Sequence, residues 1–476
     1  MAVFAVAMFG FAGCGGLGKL PENPNANDVV VGNGGLAVQK GDYLYFVNGY
    51  MNTTEVLDTN NYGSIQHTAI YRVKLNAGKV VEKNPAIYHE DGCVETDETM
   101  ELNDIDVFVP KVAGFEYANL YIFGDYLYFT TPNHLKDGKQ EVLSKKLNFY
   151  RTKLDRSGSL ELIYSTEQDN SNVAMTIYEV DGVVYQIVRD GSVLKVFSFE
   201  NGRKAEKTLS EKTNEVALPS YQNSNDQVYD IDKKIYFTEN MEDGKTGTIL
   251  KAYDLSTKET SDVFNNEEET YVIKGTKGNY LYYTKAVATN PGLSATIYAI
   301  DSTLKNPIQV SSIQVSTSSS DSPRIASYSL VSSEQGVAVI YYDGTDTYFK
   351  RANQTNGTLV ASGVNVLENL VEINGDYVYY IADSTLKCIK YTEAGQTATT
   401  PIPASETART DLAANFDVDG NNVFYFVQHN EANYYLHYTN ANLTNDEGEQ
   451  YYHFVGHLLE SDYVIVEEEH SHDDEE

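Results

Sequence analysis

"GDYLYFVNG", Gly41 to Gly49, is a turn dipeptide running into alternating aromatic and aliphatic residues, closed by Asn-Gly. Nearly the same phrase returns as "GDYLYFTTPN" at Gly124 and "GDYVYYIAD" at Gly375. A turn residue pair followed by Tyr, Phe, Val and Ile is the signature of a strand entered through a hairpin. Looser copies complete the series: "DGVVYQIV" at Asp181, "DKKIYFTEN" at Asp232, "KGNYLYYT" at Lys277, "QGVAVIYYDG" at Gln335 and "DGNNVFYFV" at Asp419. That makes eight.

Each phrase is followed by a second strand-like one. In order they are "AIYRVKLNAG", "NFYRTKLDRSG", "VLKVFSFENG", "TILKAYDLST", "TIYAIDST", "TYFKRANQTNG", "TLKCIKYTEAG" and "NYYLHYTNAN". The pairs read as antiparallel hairpins with polar residues on an exposed side. Short apolar runs flank several pairs, such as "YANLYIFG" before the second and "LELIYS" after it, giving four strands per unit. The apolar phrases begin at Tyr43, Tyr126, Val183, Lys234, Tyr280, Val337, Tyr377 and Asn422. The first gap is 83 residues and the others run from 40 to 57, the period of a four-stranded propeller blade with loop insertions. The long first gap holds an acidic stretch, "HEDGCVETDETMELNDIDVF", read as an inserted excursion. A lone blade cannot bury both faces, whereas a ring of blades buries them and protects strand edges. The expected fold is therefore all-β, a β-propeller of seven or eight four-stranded antiparallel blades over residues 29–466. Two stacked sandwich domains are the competing architecture, and they would not need one turn phrase in every unit.

Composition agrees. The chain has 38 Tyr, 18 Phe and no Trp, which favours pleated structure. Its 68 acidic against 35 basic residues give a net charge of -33. Such a chain repels phosphate backbones, so nucleic acid is not an expected partner.

"MAVFAVAMFGFAGCGG" opens with an apolar run, Ala2 to Ala12, too short to span a bilayer but matching the apolar region of a secretory signal. Phe11-Ala12-Gly13-Cys14 resembles a bacterial lipobox, and that resemblance implies a lipidated Cys14 as the mature N-terminus. Phe11 stands where Leu is commoner, and no Lys or Arg precedes the run, so Met1 reads as an internal methionine of a longer precursor. Residues 1–13 are expected as signal peptide and 14–28 as anchor and linker. The expected partner is the membrane, through the lipid anchor, with the body outside the cell on a Gram-positive surface. "IYFTEN" at Ile235, "LYFTT" at Leu127 and "LYYTK" at Leu281 resemble the YWTD repeat with Tyr or Phe in place of Trp. The chain is similar in this to bacterial lipoprotein-receptor-like propellers of unknown function.

Candidate chemistry is sparse. No GxSxG elbow or HExxH pair occurs, and "EDGKTG" (Glu242–Gly247) lacks the first Gly of a phosphate loop. "DVDGNN" (Asp417–Asn422) and "DGTD" (Asp343–Asp346) offer spaced oxygens but lack an EF-hand's Gly and final Glu, so they read as turns. "HEDGC" (His89–Cys93) has no fourth zinc ligand at a known spacing. The tail "EEEHSHDDEE", residues 467–476, has nothing to bury and is expected to be disordered. His470 and His472 there are candidate ligands for weak divalent metal binding. Cys14, Cys93 and Cys388 form no disulfide framework. No cofactor and no catalytic residue is expected. The function expected is a cell-surface binding or scaffolding module for protein or glycan. The alternative is a polysaccharide-acting enzyme using carboxylates that converge in the central channel.

Overall fold

The computed structural model describes residues 19–47, 119–132, 146–218, 233–287, 295–315, 327–331, 337–402, 408, 410, 416–428 and 433–440, apart from 21, 242–244, 246, 278 and 353. It also describes short strands at 50–51, 70–76, 79–80, 87–88, 94–95, 105–109 and 453–454. The protein is an eight-bladed β-propeller. Blade 3 shows the plan: Val173–Val180, Val183–Asp190, Val193–Glu200 and Arg203–Ser210 pair in sequence order, all antiparallel. All eight repeated phrases fall on the second strands of eight blades, and their companions on the third. Blade 7 has three regular strands, with Thr399 bridging Cys388 on its outer side. In blade 1 the fourth strand is Ile105–Val109, so the end of the acidic stretch, "IDVF", belongs to the blade, and Ile87–Tyr88 pairs with Val94–Glu95 between the third and fourth strands.

The Gly-Asp turn explains the recurring phrase. Gly41, Gly124 and Gly375 have φ of +56°, +56° and +55°, while the Asp after each does not enter the left-handed region. A two-residue hairpin with positive φ at its first position alone matches the strand twist and favours glycine there.

In most blades the second strand is buried on both faces, unlike the half-exposed hairpins the alternation predicts; the second strand of blade 7, Tyr377–Ala382, keeps one face open. All of Tyr43–Val47 is buried, as is Ile235 to Glu239 in blade 4. Stacking is the reason. In blade 4, Ile235 and Phe237 point into a cluster with blade 3 residues, while Tyr236 between them points into a cluster with Tyr271, Leu281 and Tyr283 of blade 5. Such clusters lie at every seam of the ring, including the last: Phe424, Phe426, Leu436 and Tyr438 of blade 8 pack with Ala37, Val38 and Phe46 of blade 1. Tyrosine supplies much of the volume, with Tyr45, Tyr71, Tyr128, Tyr236, Tyr282 and Tyr425 among the largest fully buried side chains.

First strands of neighbouring blades lie against one another, whereas the fourth strand of blade 3 is exposed along most of its length. The first strands therefore surround the axis and the fourth strands form the rim. The segment before blade 1 is packed too. Leu20 is buried in the blade 1–2 cluster, and its amide donates to the Asp155 carbonyl at 3.0 Å. Arg72 donates to the Glu22 carbonyl at 2.7 Å. Lys40, buried, donates to the carbonyls of Ala26 at 3.2 Å and Gly124 at 2.6 Å. Val30–Val31 then pairs with Gln39 and Lys40 on the axial side of the first strand of blade 1.

Candidate functional site at the axis

The first strands carry polar side chains that reach across to the backbone of the next blade. In blade 4, strand Thr213–Ala217 carries Glu215, whose Oε2 accepts the Ile273 amide of blade 5 at 2.7 Å. Asn33, in the loop before blade 1's first strand, accepts the Ile122 amide of blade 2 at 2.7 Å and donates to the Ile122 carbonyl at 3.2 Å. In blade 7, strand Leu370–Asn374 carries two such groups. Glu372 Oε2 accepts the Val418 amide at 3.2 Å, and Asn374 donates to the Val418 carbonyl at 3.1 Å. Each pairs a buried backbone group that would otherwise be costly to leave unmade.

Blade 8's first strand, Phe416–Asp419, alternates in the expected way. Phe416 is buried in the cluster with blade 7, and Asp417 and Asp419 take the opposite side. Asp417 Oδ2 accepts the Leu36 amide at 2.8 Å, and its carboxyl group also takes the Ala37 amide. In the segment 32–35, Gly-Asn-Gly-Gly, Gly32 lies against Asp419 and Gly35 against Asp417. A Cβ on Gly35 would stand 2.0 Å from Asp417 Oδ2, so no other residue fits there without rearrangement.

Three carboxyl groups thus meet where blades 7, 8 and 1 adjoin. Burial, and then the charge of Asp417, raises the pKa of Glu372 well above the usual carboxylate range. Burial and the charge of Asp419 push Asp417 upward too, against the opposing pull of the Leu36 and Ala37 amides. Burial alone takes Asp419 up to about 6. Lys277, closing the first strand of blade 5, is the cation acting on Glu372. Asp419 is 8% exposed and takes no hydrogen bond among the described residues. Also among the described residues, no group of three or more His, Cys, Asp or Glu is arranged to hold a metal ion.

The residues singled out from the sequence divide into two sets. Cys14, Cys93, the "HEDGC" loop, His470 and His472 lie outside the described residues. Among the rest, Cys388 is a buried free thiol beside Tyr379, and burial raises its pKa. Asp343 and Asp346 make a turn: Asp343 Oδ1 accepts the Thr345 amide at 2.8 Å, and Asp346 Oδ1 that of Gly363 at 2.7 Å. Of "EDGKTG" only Lys245 and Gly247 are described, and the Gly247 carbonyl accepts the Met241 amide at 3.2 Å. In "DVDGNN" the turn is Gly420–Asn421 alone, between the paired strand residues Asp419 and Asn422. Asp417 is a strand residue bonded to another blade, a role that the reading as a local turn does not include. Glu215, Glu372 and Asn33 were not recognised from the sequence either. Their signal is an acid or amide in the short strand before each repeated phrase, as in "VEIN-GDY" and "FDVD-GNN".

No family model matches the chain, and no curated protein matches it. Solved structures similar to it include a prolyl endopeptidase, at 10% identity and TM-score 0.42 over 70% of this chain and 49% of that one. The chain thus spans about half the length of that relative. TolB from Acinetobacter baumannii is similar at 12% identity and TM-score 0.27, over 70% and 80% of the two chains. The β-propeller domain of the Trilobed protease from Pyrococcus furiosus, described as having an open velcro topology, is similar at 10% identity and TM-score 0.38, over 78% and 95%.

Proposed function

We propose that this chain is an extracytoplasmic binding or scaffolding module for a protein or glycan, held to the bacterial membrane by acyl chains on Cys14. The observation that carries the reading is the engagement of the axial acids. Asp417, Glu372 and Glu215 all accept backbone amides of the neighbouring blade, so the axis is built to hold a ring together. The lipobox-like "FAGC" supports the membrane address, and the resemblance of the Tyr/Phe-Thr phrases to the YWTD repeat supports a surface role like that of lipoprotein-receptor-like propellers. More than one acyl chain gives stable anchoring.

The test is mass spectrometry of the protein from its native membrane fraction, expressed from the full upstream reading frame. The expected product begins at Cys14 and carries acyl mass, and Cys14→Ser moves the protein to the soluble fraction. An unprocessed N-terminus in the soluble fraction of the wild type removes the reading.

A second reading, a polysaccharide-acting enzyme, is favoured by one observation: Glu372 and Asp419 share a site and hold their protons above the usual range. Incubation with cell-wall polysaccharide, followed for new reducing ends, tests it. Release by the wild type, abolished in Glu372→Gln and Asp419→Asn, supports an enzyme, and absence of release ends that reading.

A further inference from the structure

Seven of the eight seams in this ring are crossed by the chain as it passes from one blade to the next. Among the described residues, no segment runs from blade 8 into blade 1. The seam between them is held by the packing of Phe424, Phe426, Leu436 and Tyr438 on blade 1, by the pairing of Tyr50–Met51 with Tyr434 and Asn433, and by the Leu36 and Ala37 amides on Asp417. Its axial end is also where Gly35 lies against Asp417 and Gly32 against Asp419, with Glu372 beside both acids.

We propose that the junction of blades 7, 8 and 1 is the place where this ring opens, and that the protonation state of the Glu372–Asp417–Asp419 trio sets how tightly it is held. The groups facing the trio are few. The first strand of blade 8 contributes Asp417 and Asp419, that of blade 7 contributes Glu372, the second strand of blade 7 contributes Tyr379 opposite Glu372, and the first strand of blade 5 contributes Lys277. Blade 1 offers uncharged backbone, from Gly32 to Ala37. One cation therefore faces three acids. While the trio carries protons, the Leu36 and Val418 amides have acceptors and repulsion is small. As pH rises, two and then three charges share a site short of water and counter-charge, and separation of the blades relieves them.

The sign follows from linkage. In the closed ring the carboxyl groups hold protons at a pH where solvated ones have lost them. Closure is therefore strongest below about pH 4, where the opened state is protonated too, and weakens as pH rises through the closed-ring values. Other seams supply internal controls. The blade 1–2 seam uses the Asn33 amide, which does not titrate, and the blade 4–5 seam uses a single acid, Glu215. The inference does not depend on what the ring binds.

Hydrogen exchange of the full-length protein between pH 5.5 and 9, corrected for intrinsic rates, tests it. Peptides covering residues 33–47 are expected to lose protection by about tenfold or more, while peptides covering Ile122 and Ile273 change less. Glu372→Gln retains an oxygen for the Val418 amide and removes one charge, so it should keep residues 33–47 protected at high pH. Equal pH trends at the three seams overturn the proposal. So does a Glu372→Gln protein that loses protection as the wild type does. The comparison within the wild type decides the matter even if the variant does not fold.

Discussion

The Leu36 amide donates to Asp417 Oδ2 at 2.8 Å, across a sequence separation of 381 residues. This bond joins the residue leading into the first strand of the first blade to the first strand of the last, and it brings the ends of the ring into register. Stacking of the intervening blades brings these two residues together, so the bond adds to a closure the rest of the ring has already set up.

Removing the acceptor tests that contribution. Asp417→Ala leaves the Leu36 and Ala37 amides without a partner next to Gly35. A loss of roughly 1–3 kcal/mol is expected, the cost of a buried donor left unmade. Urea unfolding at pH 5.5 measures it, and an unchanged midpoint would sink the assignment of Asp417 as a clamp.

Gly35→Ala probes the same contact from the other side. Its Cβ would enter the Asp417 carboxyl group at 2.0 Å, whereas a Cβ on Gly124 meets nothing within 4 Å. Gly35→Ala should cost about 1–3 kcal/mol through overpacking. Gly124→Ala should cost about 1–2 kcal/mol through backbone strain at positive φ alone. Hydrogen exchange separates the two mechanisms: the first substitution exposes the amides of residues 36 and 37, and the second leaves them protected.

Glu372→Gln should raise stability at pH 8 and change it little at pH 4. Glu372 has its pKa raised in the folded ring by burial and by Asp417. Its contribution to stability is complete below the unfolded value and is lost as pH rises toward the folded one. Thermal melts of wild type and variant across this range should therefore diverge with pH. Parallel curves would contradict the electrostatic account.

Arg151 joins blades 2 and 3. Its side chain is 2% exposed, bonds Glu161 at 2.7 Å and the Gly202 carbonyl at 2.7 Å, and lies 4.5 and 4.2 Å from the Tyr126 and Phe199 rings. Arg151→Lys keeps the charge but not the planar fork. A loss of about 2 kcal/mol is expected from the broken carbonyl bond and ring contacts, read as a lower urea midpoint. Substitution without effect would show that the guanidinium geometry is dispensable.

The second and third strands were legible because each carries a turn pair and a run of Tyr, Phe and β-branched residues, as in "GDYLYFVNG". Their twofold burial was not, because Ile235, Tyr236 and Phe237 reveal two buried faces only once blades 3 and 5 are in place. The axial site was least legible. Glu215, Glu372 and Asp417 sit in short strands of low aromatic content, and each has a partner on a different blade, between 46 and 381 residues away. Local pattern reports what a residue does to its own strand, and these residues act on someone else's.

The docked segment ahead of blade 1 gives the molecule a mechanical direction. A pull on the chain before Leu20 first loads the Leu20–Asp155 bond, then the Arg72 grip on Glu22, then Lys40 on Ala26, and only then the Val30–Lys40 strand pair. These attachments are met in series, so they yield one at a time as the segment peels, and tension reaches the axis of the ring only after the last has parted.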